Sequence, residues 1–314
     1  AYYELGWGGF WFWDPVENIS LMPWLSLTAL LHCVVTLEKR NILKNWTIIL
    51  SLITFMLSIT GTFLVRSGIL NSVHTFANDP TRGIYILIFL FVLIFISFII
   101  FFLFENKNPE IKKEIFLLSK ETSVLINNWF IIYFLTVILV GTIYPIFLDV
   151  ISSEKISVGP PFYNKLILPF LLPFFLFMSI GPSMQWIKTN FKLKIKYIFY
   201  LFLTLAASLI TVIFLNEKNI LLYILFLALF YLAFKSLENF VIKKSNLAQS
   251  FSHLGFAMLM ISILVNSFSS TEVIKNLNVG ESFNLNNEKI FFKNVKTVKK
   301  NNYDSIQGLF EITN

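Results

Sequence analysis

A chain of 314 residues that is 56% hydrophobic and 17% aromatic, with a mean hydropathy of +0.72, lies outside the range of ordinary soluble domains. Its net charge of +7 does not point to nucleic acid, because the lysines fall in short loops between apolar runs, where membrane orientation accounts for them. The single cysteine, Cys33, excludes an intramolecular disulfide, a CxxC redox pair and a cysteine metal cage.

The chain opens on an aromatic segment. Residues 7–13 hold three tryptophans, two phenylalanines and two glycines, and the glycines permit tight turns that set the rings edge-on or face-on to a flat ligand. Trp7, Phe10, Trp11 and Trp13 are therefore candidates for a stacking platform; a membrane-interface aromatic belt is the plainer reading. A helix start follows at once. Asp14 suits the N-cap, Pro15 the first helical position and Glu17 the third, which together make a capping box.

The 20-residue length rule then predicts about eight membrane helices, at roughly 20–37, 45–64, 83–104, 126–147, 165–181, 195–215, 219–234 and 251–268. The fifth and seventh are the shortest. Alternate loops carry 14 Lys/Arg on one side and 5 on the other. By the positive-inside rule the aromatic segment and the tail after 268 lie outside the cytoplasm. That tail is polar, with alternating pieces at Lys289–Lys293 and Gly308–Ile312, and reads as the start of a small β-rich domain. The predicted fold class is an all-α polytopic membrane protein with that β-rich extracytoplasmic beginning. The divisions fall at 1–19, 20–268 and 269–314.

Three histidines occur, each in a distinctive place. His32 lies about 18 Å into a core about 30 Å thick. His253 lies just inside the start of the last helix, which runs the other way, so the two imidazoles reach similar depth. Two imidazoles at one level on separate helices suit bis-histidine ligation of a b-type haem. The plainer reading is a pair of buried polar residues bonded locally, with Thr28 and Ser252 nearby. His74 falls in the outside loop 66–83, on the side of the aromatic segment, either as an external iron ligand or as a solvated loop residue. In the same loop Asp79-Pro80 reads as the N-cap and first position of the third helix. Arg66 and Arg82 flank the loop as propionate contacts or interface anchors.

The run WGGFWFWDPVEN, followed by Met22-Pro23-Trp24-Leu25, resembles the tryptophan-rich "WWD" signature of the haem-handling proteins of cytochrome c maturation, and most of all the CcmF family of haem lyases. RSGILNSVHTFANDPTRG and KISVGPPFYN, at 66–83 and 155–164, are similar to further stretches of that family. The family often has tryptophan where Phe10 stands.

The resemblance spans nearly the whole chain and implies the rest. His32 and His253 are the axial ligands of a transmembrane haem b, and His74 is an external axial ligand to a substrate haem resting on the aromatic platform. The second external ligand is expected upstream of Ala1. The implied partners are a CcmE-type haem chaperone, a CcmH-type thiol-handling subunit, apocytochrome c, a quinol electron donor and membrane lipids. The implied location is the bacterial inner membrane with a periplasmic active face, rather than the mitochondrial inner membrane. No catalytic acid, base or nucleophile is assigned. The alternatives are a haem transporter or presenter of the same superfamily without lyase chemistry, a quinol-linked b-type membrane oxidoreductase, and an inert scaffold.

Overall fold

The computed structural model describes residues 11–70, 72, 79–104, 114–152, 156, 158–190, 195–242, 247–269, 275–285, 288–299 and 304–313. Trp7, Phe10 and His74 lie outside the described residues. The elements are α1 (Pro15–Arg40), α2 (Lys44–Ser67), α3 (Pro80–Phe104), α4 (Lys120–Ile151), α5 (Pro160–Ile180), α6 (Ile195–Phe214), α7 (Ile220–Val241), α8 (Leu247–Ser269), β1 (Ser282–Leu285), β2 (Glu288–Lys299) and β3 (Asp304–Thr313). Among the described residues seven helices are long and apolar enough to cross a membrane, and α6 adds a shorter apolar segment, Ile198–Phe214. The chain is a multi-pass membrane protein.

The eight helices coincide with the sequence expectation, and three of them extend further for identifiable reasons. α4 begins at Lys120 because Ser119 caps it, its side chain accepting from the Thr122 N–H at 3.2 Å. α5 begins at Pro160, with proline at the first turn, where no intrahelical N–H is needed. α7 continues past 234 to Val241, carrying Lys235 and Glu238 inside the protein as a mutual ion pair. A hydropathy rule ends the helix at the lysine because it counts charge and cannot see the partner. The shortest apolar stretch consequently belongs to α6 and not to the fifth or seventh helix.

Ala1–Ile261 forms one compact unit. Within it α1 packs on α2 and α4, α3 on α2, α5 on α4 and α7, and α6 on α7. Close approach of α1 and α2 depends on Gly61, where a Cβ would lie 2.7 Å from Ile19 Cγ2. The start of α8 is held by aromatic contacts, Phe256 against Phe174 and Phe175 and Phe251 against Phe240. Leu254 and Ala257 meet Leu232 and Ala233 of α7. α3 leaves most of its phenylalanines and isoleucines uncovered, as a lipid-facing helix does.

Where α1 ends, a buried clamp joins three parts of the chain. Arg40 Nε lies 2.6 Å from Glu121 Oε1, with the carboxylate 1% exposed. The Ile187 N–H donates to the same carboxylate at 3.0 and 3.1 Å. The contact with Arg40 is an ion pair rather than an aligned hydrogen bond.

Ser262–Asn314 forms the second unit. Its sheet is an antiparallel meander, β1-β2-β3, with a bulge between Phe292 and Asn294. The two alternating pieces read from sequence are neighbours in it: Phe292 pairs with Phe310, and their rings stack 4.6 Å apart.

Removing one partner of a buried ion pair leaves an uncompensated charge, at a cost of about 3–5 kcal/mol. Glu121→Gln should therefore lower the thermal midpoint of the detergent-purified protein by several degrees. Lys39→Gln, whose partner Glu38 is a neighbouring exposed side chain, should leave it unchanged.

Candidate functional site

The aromatic segment is built onto the first turn of α1. The capping box is present as expected: Asp14 accepts from the Val16 N–H at 3.0 Å, and Glu17 reaches back to the Asp14 N–H at 3.1 Å. Glu17 also accepts from the Phe12 N–H at 2.9 Å, and Ser72 donates to Asp14 at 2.6 Å. Trp13 itself has φ +59°, an uncommon conformation for a bulky side chain. Chain entry into α1 is thus fixed residue by residue.

What fixes the Trp13 ring is a residue 150 positions away in sequence. The Trp13 and Tyr163 rings stack face to face, 4.2 Å apart and 11° from parallel. Tyr163 is 1% exposed, in the first turn of α5. Asn18 Nδ2 donates to the Tyr163 hydroxyl at 2.9 Å and to the Trp13 carbonyl at 3.1 Å, tying the two rings to α1. Gly141 of α4 makes room, since a Cβ there would lie 2.7 Å from the Tyr163 hydroxyl.

One face of the Trp13 indole is therefore covered from within the protein. Trp11 stands perpendicular to it, with centroids 5.9 Å apart and planes at 88°. The two indoles do not tile a single flat floor. They form a corner, one ring presenting its edge to the other.

The loop arginines are placed differently. Arg82 pairs with Asp79 at 3.1 Å, both at the start of α3, and the Arg66 carbonyl accepts from the Asp79 N–H at 2.8 Å. The Asp79-Pro80 helix start read from sequence is present, with Asp79 Oδ1 accepting from the Arg82 N–H at 3.1 Å.

His32 sits in the second half of α1 and His253 near the start of α8. His253 is within electrostatic reach of His32 and of Lys120. His32 Nδ1 lies 2.8 Å from the Thr28 carbonyl oxygen, which fixes the ring and leaves Nε2 to face away from its own helix backbone. A ring so tied donates through Nδ1 and keeps Nε2 as a lone-pair ligand for a metal. Ser252 bonds instead to the Ala248 carbonyl at 2.8 Å. Cys33, next to His32, is buried and accepts from Asn128 Nδ2 at 3.0 Å. Among the described residues no group of three or more His, Cys, Asp or Glu converges.

Residues that sequence reading passed over also surround His253. It lines a polar cavity with Ser179, Lys235, Ser236, Asn239, Gln249 and Ser250. The signal was present as a lysine and a glutamate three apart at the end of an apolar run. Tyr163 was visible only as part of a family-like turn, with nothing to connect it to Trp13.

The family model for "Cytochrome C assembly protein" matches residues 1–70. The Pseudomonas aeruginosa cytochrome c-type biogenesis protein CcmF is 35% identical over all of this chain and 50% of its own length. The CycK protein of Bradyrhizobium diazoefficiens is 50% identical over 59% of this chain and 28% of its own. Among solved structures, a cytochrome c haem lyase CcmF superposes with a TM-score of 0.70 at 23% identity, over 99% of this chain and 49% of that one. The chain spans about half the length of the full-length relatives it matches.

Loss of the Trp13–Tyr163 stack should be directly visible. Tyr163→Leu forfeits about 0.5–1.5 kcal/mol of ring contact beyond the lost burial and should weaken the near-ultraviolet circular dichroism along with the thermal midpoint. Tyr163→Phe keeps the stack and should retain most of both. A near-ultraviolet signal unmoved by Tyr163→Leu would exclude the stack.

Proposed function

Because the chain belongs to the CcmF family of cytochrome c-type biogenesis proteins, we propose that it forms the haem-handling half of a haem lyase, which promotes covalent attachment of haem to apocytochrome c. The observation that carries this reading is the pair His32 and His253, one in the second half of α1 and the other near the start of α8, each inside a membrane-length helix. The first ring is tied through Nδ1 to a backbone carbonyl so that Nε2 is free for iron.

The residues fit a transmembrane haem b. The two imidazoles would supply nitrogens to the iron, and Leu254, Phe256 and Ala257 are apolar neighbours on α8. When bound, such a haem supplies one-electron transfer. His32 and His253 would hold it, and the Thr28 carbonyl sets the orientation of the His32 ring.

Haem as substrate is received at the other site. The Trp11–Trp13 corner would stack and orient it, and the remaining candidates for this site are Trp7, Phe10 and His74, which lie outside the described residues, with Arg66 and Arg82 for its propionates. Arg82 would leave Asp79 to make such a contact. In the attachment step each cysteine thiol adds across a haem vinyl group. Sulfur bonds to one carbon and hydrogen to the other, so no residue of this chain serves as nucleophile. Its contribution is position and redox tuning. A CcmE-type chaperone delivers the haem, a CcmH-type subunit presents reduced thiols, apocytochrome c accepts, and quinol donates the electron. The site faces the periplasm from the bacterial inner membrane.

The test uses the full-length protein purified in detergent. His32→Ala or His253→Ala should abolish the reduced-minus-oxidised b-type spectrum, and retention in either variant would falsify the ligand assignment. His74→Ala should spare that spectrum and stop cytochrome c maturation; normal maturation would remove His74 from the site.

A further inference from the structure

We propose that the paired segments 115–120 and 184–189, at the end of the bundle where α1 terminates, bind the phosphate headgroup of an anionic membrane lipid. Lys120 and Lys188 are the cations of this surface, and Leu117 and Ile187 enter the leaflet beside them. The inference goes beyond the haem reading and stands independently of it.

The surface begins from a backbone outlier. Ile187 has φ +75°, a conformation that a β-branched residue keeps only where its surroundings impose it. Here the buried Glu121 carboxylate imposes it, accepting from the Ile187 N–H at 3.0 and 3.1 Å while pairing with Arg40. Main-chain bonds lace the two segments together on either side of that point. The Lys120 N–H donates to the Gln185 carbonyl at 3.0 Å, and the Thr189 N–H donates to the Leu118 carbonyl at 2.7 Å. The Gln185 N–H closes the turn on the Thr189 hydroxyl at 2.9 Å. The turn is thus held in a shape its own sequence does not favour, and that shape leaves Ile187 and Lys188 exposed.

The surface so made is apolar, aromatic and basic at once. Ile115, Leu117 and Leu118 are exposed, Leu117 to 86%. Lys188 Nζ stands 5.7 Å from the Phe116 ring centroid, and Lys120 Nζ stands 5.2 Å from that of Trp186. Rings at the acyl boundary with lysine heads reaching to the phosphates are what a membrane interface accommodates. Depth agrees, because Ser119 caps α4 and α5 ends at Ile180, both membrane-length helices.

Charge selects the headgroup. Residues 182–196 carry four lysines and no aspartate or glutamate. In the stretch 114–121, Glu121 is buried against Arg40 and Ile187, and Glu114 is the exposed carboxylate. Among the described residues neither Lys120 nor Lys188 forms a salt bridge; each stands over a ring. A positive surface at headgroup depth attracts an anionic phosphate, whereas a zwitterionic lipid brings a cation of its own.

The experiment places the full-length protein in nanodiscs of equal parts phosphatidylcholine and phosphatidylglycerol. Native mass spectrometry then counts the lipids kept after transfer to detergent. A lysine close to an anionic bilayer surface adds about fivefold in affinity. Lys188→Gln should therefore lower the retained ratio of phosphatidylglycerol to phosphatidylcholine about fivefold, and Lys188→Arg should keep it. Lys39→Gln, which removes the same charge from the exposed end of α1, should leave the ratio near that of wild type. A fluorophore attached at Leu117→Cys should be quenched by lipids brominated on the acyl chain and shielded from acrylamide. An undiminished phosphatidylglycerol preference in Lys188→Gln, or an equal fall in Lys39→Gln, would overturn the lipid site. So would a label open to acrylamide, which puts the surface in water, or one shielded from both quenchers, which gives it to a protein neighbour.

Discussion

Inside a bilayer no water completes the hydrogen bonds of a polar group, so each must find a partner within the protein. That constraint shapes nearly every polar residue of the helical unit. The backbone is spent in helices. Hydroxyls turn back on their own helix, as Thr28, Thr36, Thr54, Thr142 and Ser236 do to carbonyls one turn earlier. Among the described residues, other polar side chains meet across helices at the Trp13–Tyr163–Asn18 node, at the Arg40–Glu121 clamp, at the Asn128–Cys33 and Ser26–Thr54 pairs and around His253.

The node by Trp13 shows how a flexible, aromatic-rich stretch acquires a definite geometry. A run of tryptophans before a helix has no preferred ring orientation of its own. Here the capping box fixes the backbone, Tyr163 fixes one indole face, and Asn18 holds both to α1. The Gly-Pro-Pro turn that opens α5 thereby serves the aromatic segment, since it delivers Tyr163 to it, and Gly141 keeps the space in which the tyrosine lies. The result is a corner of perpendicular rings rather than a flat belt.

Around the histidine pair, the polar side chains are graded. His32 is oriented by its own helix, and His253 stands between an apolar wall and a polar, charged cavity.

The sequence by itself determined the eight apolar runs, the Asp14 and Asp79 helix starts and the strand pieces that became β2 and β3, because each is a local pattern of hydrophobicity or capping chemistry. It also singled out His32 and His253, since an imidazole inside an apolar run is conspicuous and helix direction estimates its depth. What it left to the tertiary structure was every decision that depends on a distant partner. Lys235 stopped the predicted seventh helix because a lone charge belongs in water, whereas the charge is paired with Glu238 inside the protein and α7 goes on to Val241. The tryptophans suggested one flat platform, and only packing against α5 set Trp13 on Tyr163 and turned Trp11 across it. Ring orientation and charge pairing are set by contacts between segments far apart in the chain, and no local pattern encodes them.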